Sequence, residues 1–207
     1  MHVFSFCIYG KNELYYRGLK ENLLLIQEHF PLWHVFIYMG ISARKDLLSE
    51  LMEYPNTHWF STGCEGSVNM VWRFFAIDNP EVESMHVRDA DSRCHIRDRW
   101  CIEQFMNSEH TAYTIRDNPE HQIRIMGGLW GCRKLSFNMF DLYLKSRREL
   151  LSKSSEVGYD QDFLAKFVWN RLKHSFASYG YARVEKEEHY TPIDSALPER
   201  PYCGMVE

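Results

Sequence analysis

The sequence predicts an α/β sandwich built on a mostly parallel sheet, and three observations carry that prediction. Short apolar runs alternate with helical patterns along most of the chain, as they do when strands and helices take turns around a parallel sheet. Two polar segments with chemical potential, Tyr9-Gly10-Lys11 and Asp89-Ala90-Asp91, each directly follow such a run. In sheets of this class ligands sit beyond the carboxyl ends of the strands, so both segments should open onto one edge. The 207 residues contain no internal repeat, low-complexity stretch or linker-like segment, so one domain over residues 1–207 is expected.

The elements follow in order. His2 to Tyr9 reads as a buried strand, broken by Gly10-Lys11-Asn12. Asn12 can cap a helix running to about His29, with Leu14, Leu19, Leu23 and Ile26 at helical spacing, and Pro31 ends it. Trp33 to Met39 is a second strand closed by Gly40, and Ser42 can cap a helix over Arg44 to Glu53. His58 to Ser61 is a short strand, and Gly66 to Ile77 a helix with Val68, Val71, Trp72 and Phe75 inward. Glu83 to Arg88 is the strand that delivers Asp89 and Asp91. A helix over Ile96 to Ser108 and a strand over Thr111 to Ile115 come next. Gly127-Gly128-Leu129-Trp130-Gly131 reads as a tight glycine-rich turn, followed by helices over Leu135 to Leu150 and Tyr159 to Leu172. The tail, with Pro192, Pro198 and Pro201, looks irregular.

Composition narrows the function classes. A hydrophobic share of 45% with 25% charged residues is that of an ordinary globular protein. The net charge of -4 argues against a general nucleic-acid-binding surface. Six cysteines, Cys7, Cys64, Cys94, Cys101, Cys132 and Cys203, form no C-x-x-C pair, so a structural zinc site is not expected. Their scatter through apolar segments, and an N-terminus without a signal-peptide pattern, suggest reduced thiols and a cytoplasmic location. No apolar run approaches a membrane span of roughly 20 residues.

The chemistry centres on Asp89 and Asp91. Two carboxylates spaced i, i+2 at a strand end can both reach one hard divalent cation. Arg88, Arg93 and Arg97 flank or follow them, and guanidinium groups beside a metal suit a diphosphate. The alternative is a capped turn in which each Asp accepts backbone N–H bonds. Arg73 lies on an otherwise apolar helical face and needs a partner, such as Asp78 or Asp98, if it does not meet a ligand. Gly127-Gly128 permits close backbone approach to a ligand, or is simply a turn. Trp130 could floor a sugar ring or belong to the core. Asp160 and Asp162 open a helix, where the dipole alone favours one of them.

The order Trp72-Arg73-Phe74, Val87-Arg88-Asp89-Ala90-Asp91-Ser92-Arg93, Ile115-Arg116-Asp117-Asn118-Pro119 with His121, Gly127-Gly128-Leu129-Trp130-Gly131 and Tyr159-Asp160-Gln161-Asp162-Phe163-Leu164 resembles small GT-A glycosyltransferases, including those of large algal (chlorella) viruses. The resemblance spans nearly the whole chain and implies that D-x-D binds Mn2+ or Mg2+, which holds the diphosphate of a UDP-sugar. It implies Asp91 as direct metal ligand and Asp89 as a ligand of metal or ribose. A third metal-ligating histidine falls on His174, with His189 as rival. Tyr9, Gly10 and Lys11 would receive the nucleoside, and Arg73, Arg88, Gly127 and Gly128 the rest of the donor. Asp160 or Asp162 would bind the sugar or acceptor, or act on the acceptor hydroxyl, with His121 a weaker candidate for a contact. The resemblance further implies UDP-glucose or UDP-L-rhamnose as donor, a viral capsid glycan as acceptor, retention at the anomeric carbon, and work in the host cytoplasm. The alternatives are a nucleotidyltransferase or other metal-dependent nucleotide enzyme, without the G-x-x-x-x-G-K-[ST] loop, which is absent, and a non-catalytic carbohydrate-binding module.

Overall fold

A computed structural model describes residues 1–150 and 158–206. Its eight strands form one sheet in the order β3-β2-β1-β4-β6-β5-β7-β8. These are β1 (His2–Ile8), β2 (His34–Met39), β3 (Thr57–Ser61), β4 (Ser84–Arg88), β5 (Ala112–Arg116), β6 (Leu129–Arg133), β7 (Phe176–Gly180) and β8 (His189–Pro192). Every pairing is parallel except those of β6, which runs antiparallel between β4 and β5. The expected α/β architecture with a mostly parallel sheet is therefore present, and the carboxyl ends of seven strands share one edge.

Helix α1 (Glu13–His29) starts where the sequence places it, with the Asn12 side chain accepting from Leu14 N at 3.1 Å. Tyr16, Leu19, Leu23 and Ile26 are its buried apolar side chains, each contributing on the order of 1.5–3 kcal/mol through burial. With α4 (Ile96–Met106) it covers one face of the sheet, over Phe4, Phe6, Ile37 and Tyr113. The other face carries α3 (Ser67–Met70), a 3₁₀ segment Val71–Asp78, α5 (Met139–Leu150), α6 (Tyr159–Phe163), a π turn Leu164–Val168 and α7 (Trp169–Leu172). Between β2 and β3, α2 (Lys45–Leu48) is short and is followed by a 3₁₀ turn Leu51–Glu53.

Three strands depart from the expectation. The glycine-rich segment expected as a turn leads into and forms the first half of β6, and Gly131 fits inside that strand because a Cβ there would meet Met85 O and the Tyr113 ring. The tail expected to be irregular supplies β7 and β8. The helix expected from Leu135 begins at Met139, where the Asp78 carboxylate accepts from Met139 N at 2.7 Å and Phe140 N at 2.8 Å. Ser42 caps no helix; its Oγ accepts from Gly10 N at 2.7 Å and ties the β1 and β2 loops together. No helix among the described residues is long and apolar enough to cross a membrane.

Candidate active site

Strand alternation decides what β4 presents. Met85 and Val87 belong to the core packed under the 3₁₀ segment and α6, whereas His86 and Arg88 are buried with Tyr113 beneath α4. Asp89 continues the Met85–Val87 face and meets Arg73, from the 3₁₀ segment. Arg73 is only 2% exposed. Its Nη1 donates to Asp89 Oδ1 and, at 3.2 Å, to the Arg88 carbonyl; its Nη2 donates to Asp160 Oδ2 at 2.8 Å. The expected alternative partners of Arg73, Asp78 and Asp98, are engaged elsewhere.

Gly127 and Gly128 make room for the two carboxylates. A Cβ at Gly128 would fall inside the Asp89 carboxylate, and one at Gly127 would sit 3.0 Å from Asp160 Oδ2 and from Gln161 Cγ. The close approach expected at this pair is thus made by the chain's own acidic side chains.

Two adjoining cavities open at this edge. One, of about 470 Å³, is lined by Tyr9, Arg73, Asp89, His121, Gly127, Gly128, Asp160 and Gln161, among others. The second, of about 380 Å³, is lined by Tyr9, Gly10, Lys11, Tyr15, Ala90, Asp91 and Val206, among others, and it too reaches Asp89. Asp89, Tyr9, Met70 and Gly204 border both. The loop bearing the two aspartates is clamped from behind. Gly18 of α1 lets the helix lie against the Ala90 carbonyl, Asn22 donates to Ser92 O at 2.7 Å and accepts from Cys94 N at 3.0 Å, and Val206 bridges to Ser92. Gly18, Asn22 and Gly204 carry no chemical group that sequence reasoning would select; only their close approaches mark them.

Several expected site residues do not reach the cleft. Arg88 is 1% exposed and holds Asp98 in a two-pronged pair, Nε to Oδ2 at 2.7 Å and Nη2 to Oδ1 at 2.8 Å, with Tyr113 Oη at 2.9 Å. It is a core ion pair, because it points to the α4 side of β4. Arg93 pairs with Glu21 and Arg97 with Asp117. His174 precedes β7 and His189 begins β8. Both strands run parallel to β5, so both histidines lie at the amino edge of the sheet, opposite Asp91. His189 stacks there on His110 at 5.0 Å. Trp130 is fully buried against Phe74 and floors no sugar. Asp162 is outside the lining of either cavity. The histidine at the site edge is His121, whose Nδ1 is buried without a hydrogen-bond partner among the described residues.

The acidic pair fits a hard divalent cation. Mg2+-type sites take one or two carboxylates and complete their shell with phosphate and water, and no cluster of three or more His, Cys, Asp or Glu is assembled among the described residues. Burial, and then the Asp89 carboxylate beside it, push the Asp91 carboxyl above its ordinary pKa. A cation between the two relieves that repulsion.

No protein-family model matches the chain, and no curated protein matches it in sequence. Solved structures do. Mannosyltransferase PcManGT from Pyrobaculum calidifontis, in complex with GDP-Man and Mn2+, matches with a TM-score of 0.54 at 14% identity over 97% of this chain and 58% of that chain. S. aureus TarS 1-349 in complex with UDP matches with a TM-score of 0.54 at 12% identity over 93% of this chain and 61% of that chain. The 4-diphosphocytidyl-2C-methyl-D-erythritolsynthase from Anaerococcus prevotii matches with a TM-score of 0.51 at 7% identity over 94% of this chain and 88% of that chain. The chain spans less than two thirds of the length of the first two. What it shares with them is the fold: an α/β sheet of the GT-A type, as found in nucleotide-sugar transferases.

Proposed function

We propose that this chain is a metal-dependent glycosyltransferase moving a sugar from a UDP-sugar to a hydroxyl of a glycan acceptor. The observation that carries the reading is the place of Asp89, on the border of two cavities, with Asp91 in one and Asp160 in the other. Such a junction suits a diphosphate, with the nucleoside on one side and the sugar on the other.

In this reading Asp89 and Asp91 hold Mn2+ or Mg2+, which when bound neutralises charge on the departing diphosphate. Tyr9, half-buried beside Gly10, stacks on the uracil, and Lys11 stands at the rim toward the phosphates. Asp160, fixed by Arg73, directs its carboxylate to sugar hydroxyls, and His121, in the cavity wall, contacts donor or acceptor. Retention, with the acceptor proton passing to the leaving phosphate, follows from the resemblance of the Asp160-Gln161-Asp162 element to that of retaining enzymes. UDP-glucose or UDP-L-rhamnose as donor, and a viral capsid glycan as acceptor, follow from the sequence resemblance.

The fold is shared with a cytidylyl-type synthase, so a nucleotidyltransferase is the reading to exclude. Purified protein is incubated with UDP-sugars, or with CTP and UTP, with and without Mn2+. Metal-dependent release of UDP, lost by more than about 1,000-fold in Asp91→Ala, is expected. Pyrophosphate release from a nucleoside triphosphate, or unchanged UDP release in Asp91→Ala, would refute the proposal.

A further inference from the structure

Arg73 is buried in the wall of the larger cavity with its guanidinium shared between Asp89, from the end of β4, and Asp160, from the start of α6. The two acids are 71 residues apart in sequence, and Arg73 bonds to both. Its Nη1 also holds the Arg88 carbonyl at 3.2 Å, pinning the backbone just before Asp89, while Nε has no hydrogen-bond partner among the described residues. The Arg73 carbonyl in turn accepts from Ser5 Oγ at 2.6 Å, so the residue is anchored to β1. Gly127 and Gly128 leave just the space that lets both carboxylates converge on it.

We infer that Arg73 is a positioning residue: its planar fork sets the distance and angle between the metal-side carboxylate Asp89 and the sugar-side carboxylate Asp160, and it does not itself serve as a phosphate ligand. This rests on the glycosyltransferase reading and assigns Arg73 a role different from the donor contact that sequence resemblance implies. A guanidinium is required because two acids approach it from different sides through separate nitrogens; an ammonium, a compact point charge, cannot hold both in fixed register. Three of the five N–H groups of Arg73 are committed within the protein, to Asp89, the Arg88 carbonyl and Asp160, and at 2% exposure the side chain presents almost no surface to the cavity.

The test compares wild type, Arg73→Lys, Asp160→Asn and the Arg73→Lys/Asp160→Asn double variant. UDP affinity is measured calorimetrically with Mn2+ present, and kcat and KM from UDP-sugar hydrolysis. A lysine ammonium can keep the pair with Asp89 but not hold Asp160 as well, so Arg73→Lys should keep UDP affinity within about threefold while kcat falls by about 100-fold, because the sugar is misplaced and the diphosphate is not. The double variant should be no slower than Asp160→Asn by more than about threefold, since the two act through one arrangement. A loss of UDP affinity matching the loss of kcat would make Arg73 a phosphate ligand, and independent multiplying losses in kcat would break the link to Asp160; either result overturns the inference. A second measurement needs no turnover. Thermal midpoints of Asp89→Asn, Asp160→Asn and their double should be non-additive when Arg73 is present and additive in an Arg73→Met background; additivity in both also overturns it. A wild type that neither binds UDP with Mn2+ nor hydrolyses a UDP-sugar removes the glycosyltransferase reading, and the thermal coupling still decides whether Arg73 joins the two acids.

Discussion

Two buried arginines stand on opposite sides of β4, and the contrast between them separates the framework from the site. Arg88 and its partner Asp98 are each 1% exposed, and Tyr113 completes the set. Arg73 is as buried, at 2%, but its partner Asp89 is 40% exposed and Asp160 is 9% exposed. The first centre is sealed, and its charges answer only to one another. The second is open on one side, so its carboxylates can serve a ligand as well as the arginine. Burial of a guanidinium therefore says nothing by itself about function; the exposure of its partners does.

The largest effect that would test this contrast is on stability. Asp98→Ala strands a buried guanidinium and should cost about 3–5 kcal/mol in urea unfolding, with Mn2+-dependent UDP affinity of the folded protein intact. Weakened UDP binding with stability preserved would erase the distinction between the two centres. Asp160→Ala should show the reverse pattern: about a 100-fold fall in turnover with a smaller loss of stability. Gly128→Ala sharpens the picture further. Its Cβ displaces the partly exposed Asp89 carboxylate from Arg73 toward solvent, so UDP affinity with Mn2+ should fall while overpacking costs about 1–3 kcal/mol. An alanine accepted there with wild-type UDP affinity would show that the approach of Asp89 to the backbone is incidental.

The smallest effect concerns pH, on the sealed side. His86 is buried between Ser84 Oγ at 3.0 Å and Tyr113 Oη at 2.9 Å, and burial, reinforced by Arg88, His2 and Arg133, holds its pKa well below 6.5. Its folded pKa is depressed, so its contribution is fully present above 6.5, the ordinary value, and is lost as pH falls toward the folded value. The surface histidines His2, His58 and His110 and the cleft residue His121 shift the same way, each mainly through burial. Urea midpoints should therefore decline from pH 7.5 to 5.5; a rise across that range would contradict the buried neutral His86.

Much of this arrangement is legible in the sequence, and the parts that are not have physical reasons. β1, β2, β4 and α1 announce themselves because apolar periodicity and an Asn cap act locally. The placement of Asp89 and Asp91 after a strand follows from the same runs. β6 is hidden because Gly131 occupies a strand only where the Met85 backbone crowds it, a tertiary fact. β8 is hidden because the edge of the sheet tolerates polar residues and Pro192, and β7 because its short buried run, Phe176–Gly180, carries Ser178 and Gly180 in place of continuous apolar residues. The fate of Arg88 turns on which face of β4 it takes, and period-2 counting from Met85 and Val87 would have put it with His86, away from Asp89. His174 and His189 look suitable in sequence, but only the direction of β7 and β8 reveals that they stand at the wrong edge. Gly127-Gly128 signals a close approach correctly without saying that the visitors are Asp89 and Asp160.

The central claim is that Asp89 and Asp91 form a metal-dependent diphosphate site. Thermal unfolding of the wild type and Asp91→Ala with UDP, with Mn2+, and with both tests it most directly. UDP should stabilise the wild type only when Mn2+ is present, and should stabilise Asp91→Ala under neither condition. Stabilisation by UDP that needs no metal, or that survives intact in Asp91→Ala, would contradict the account.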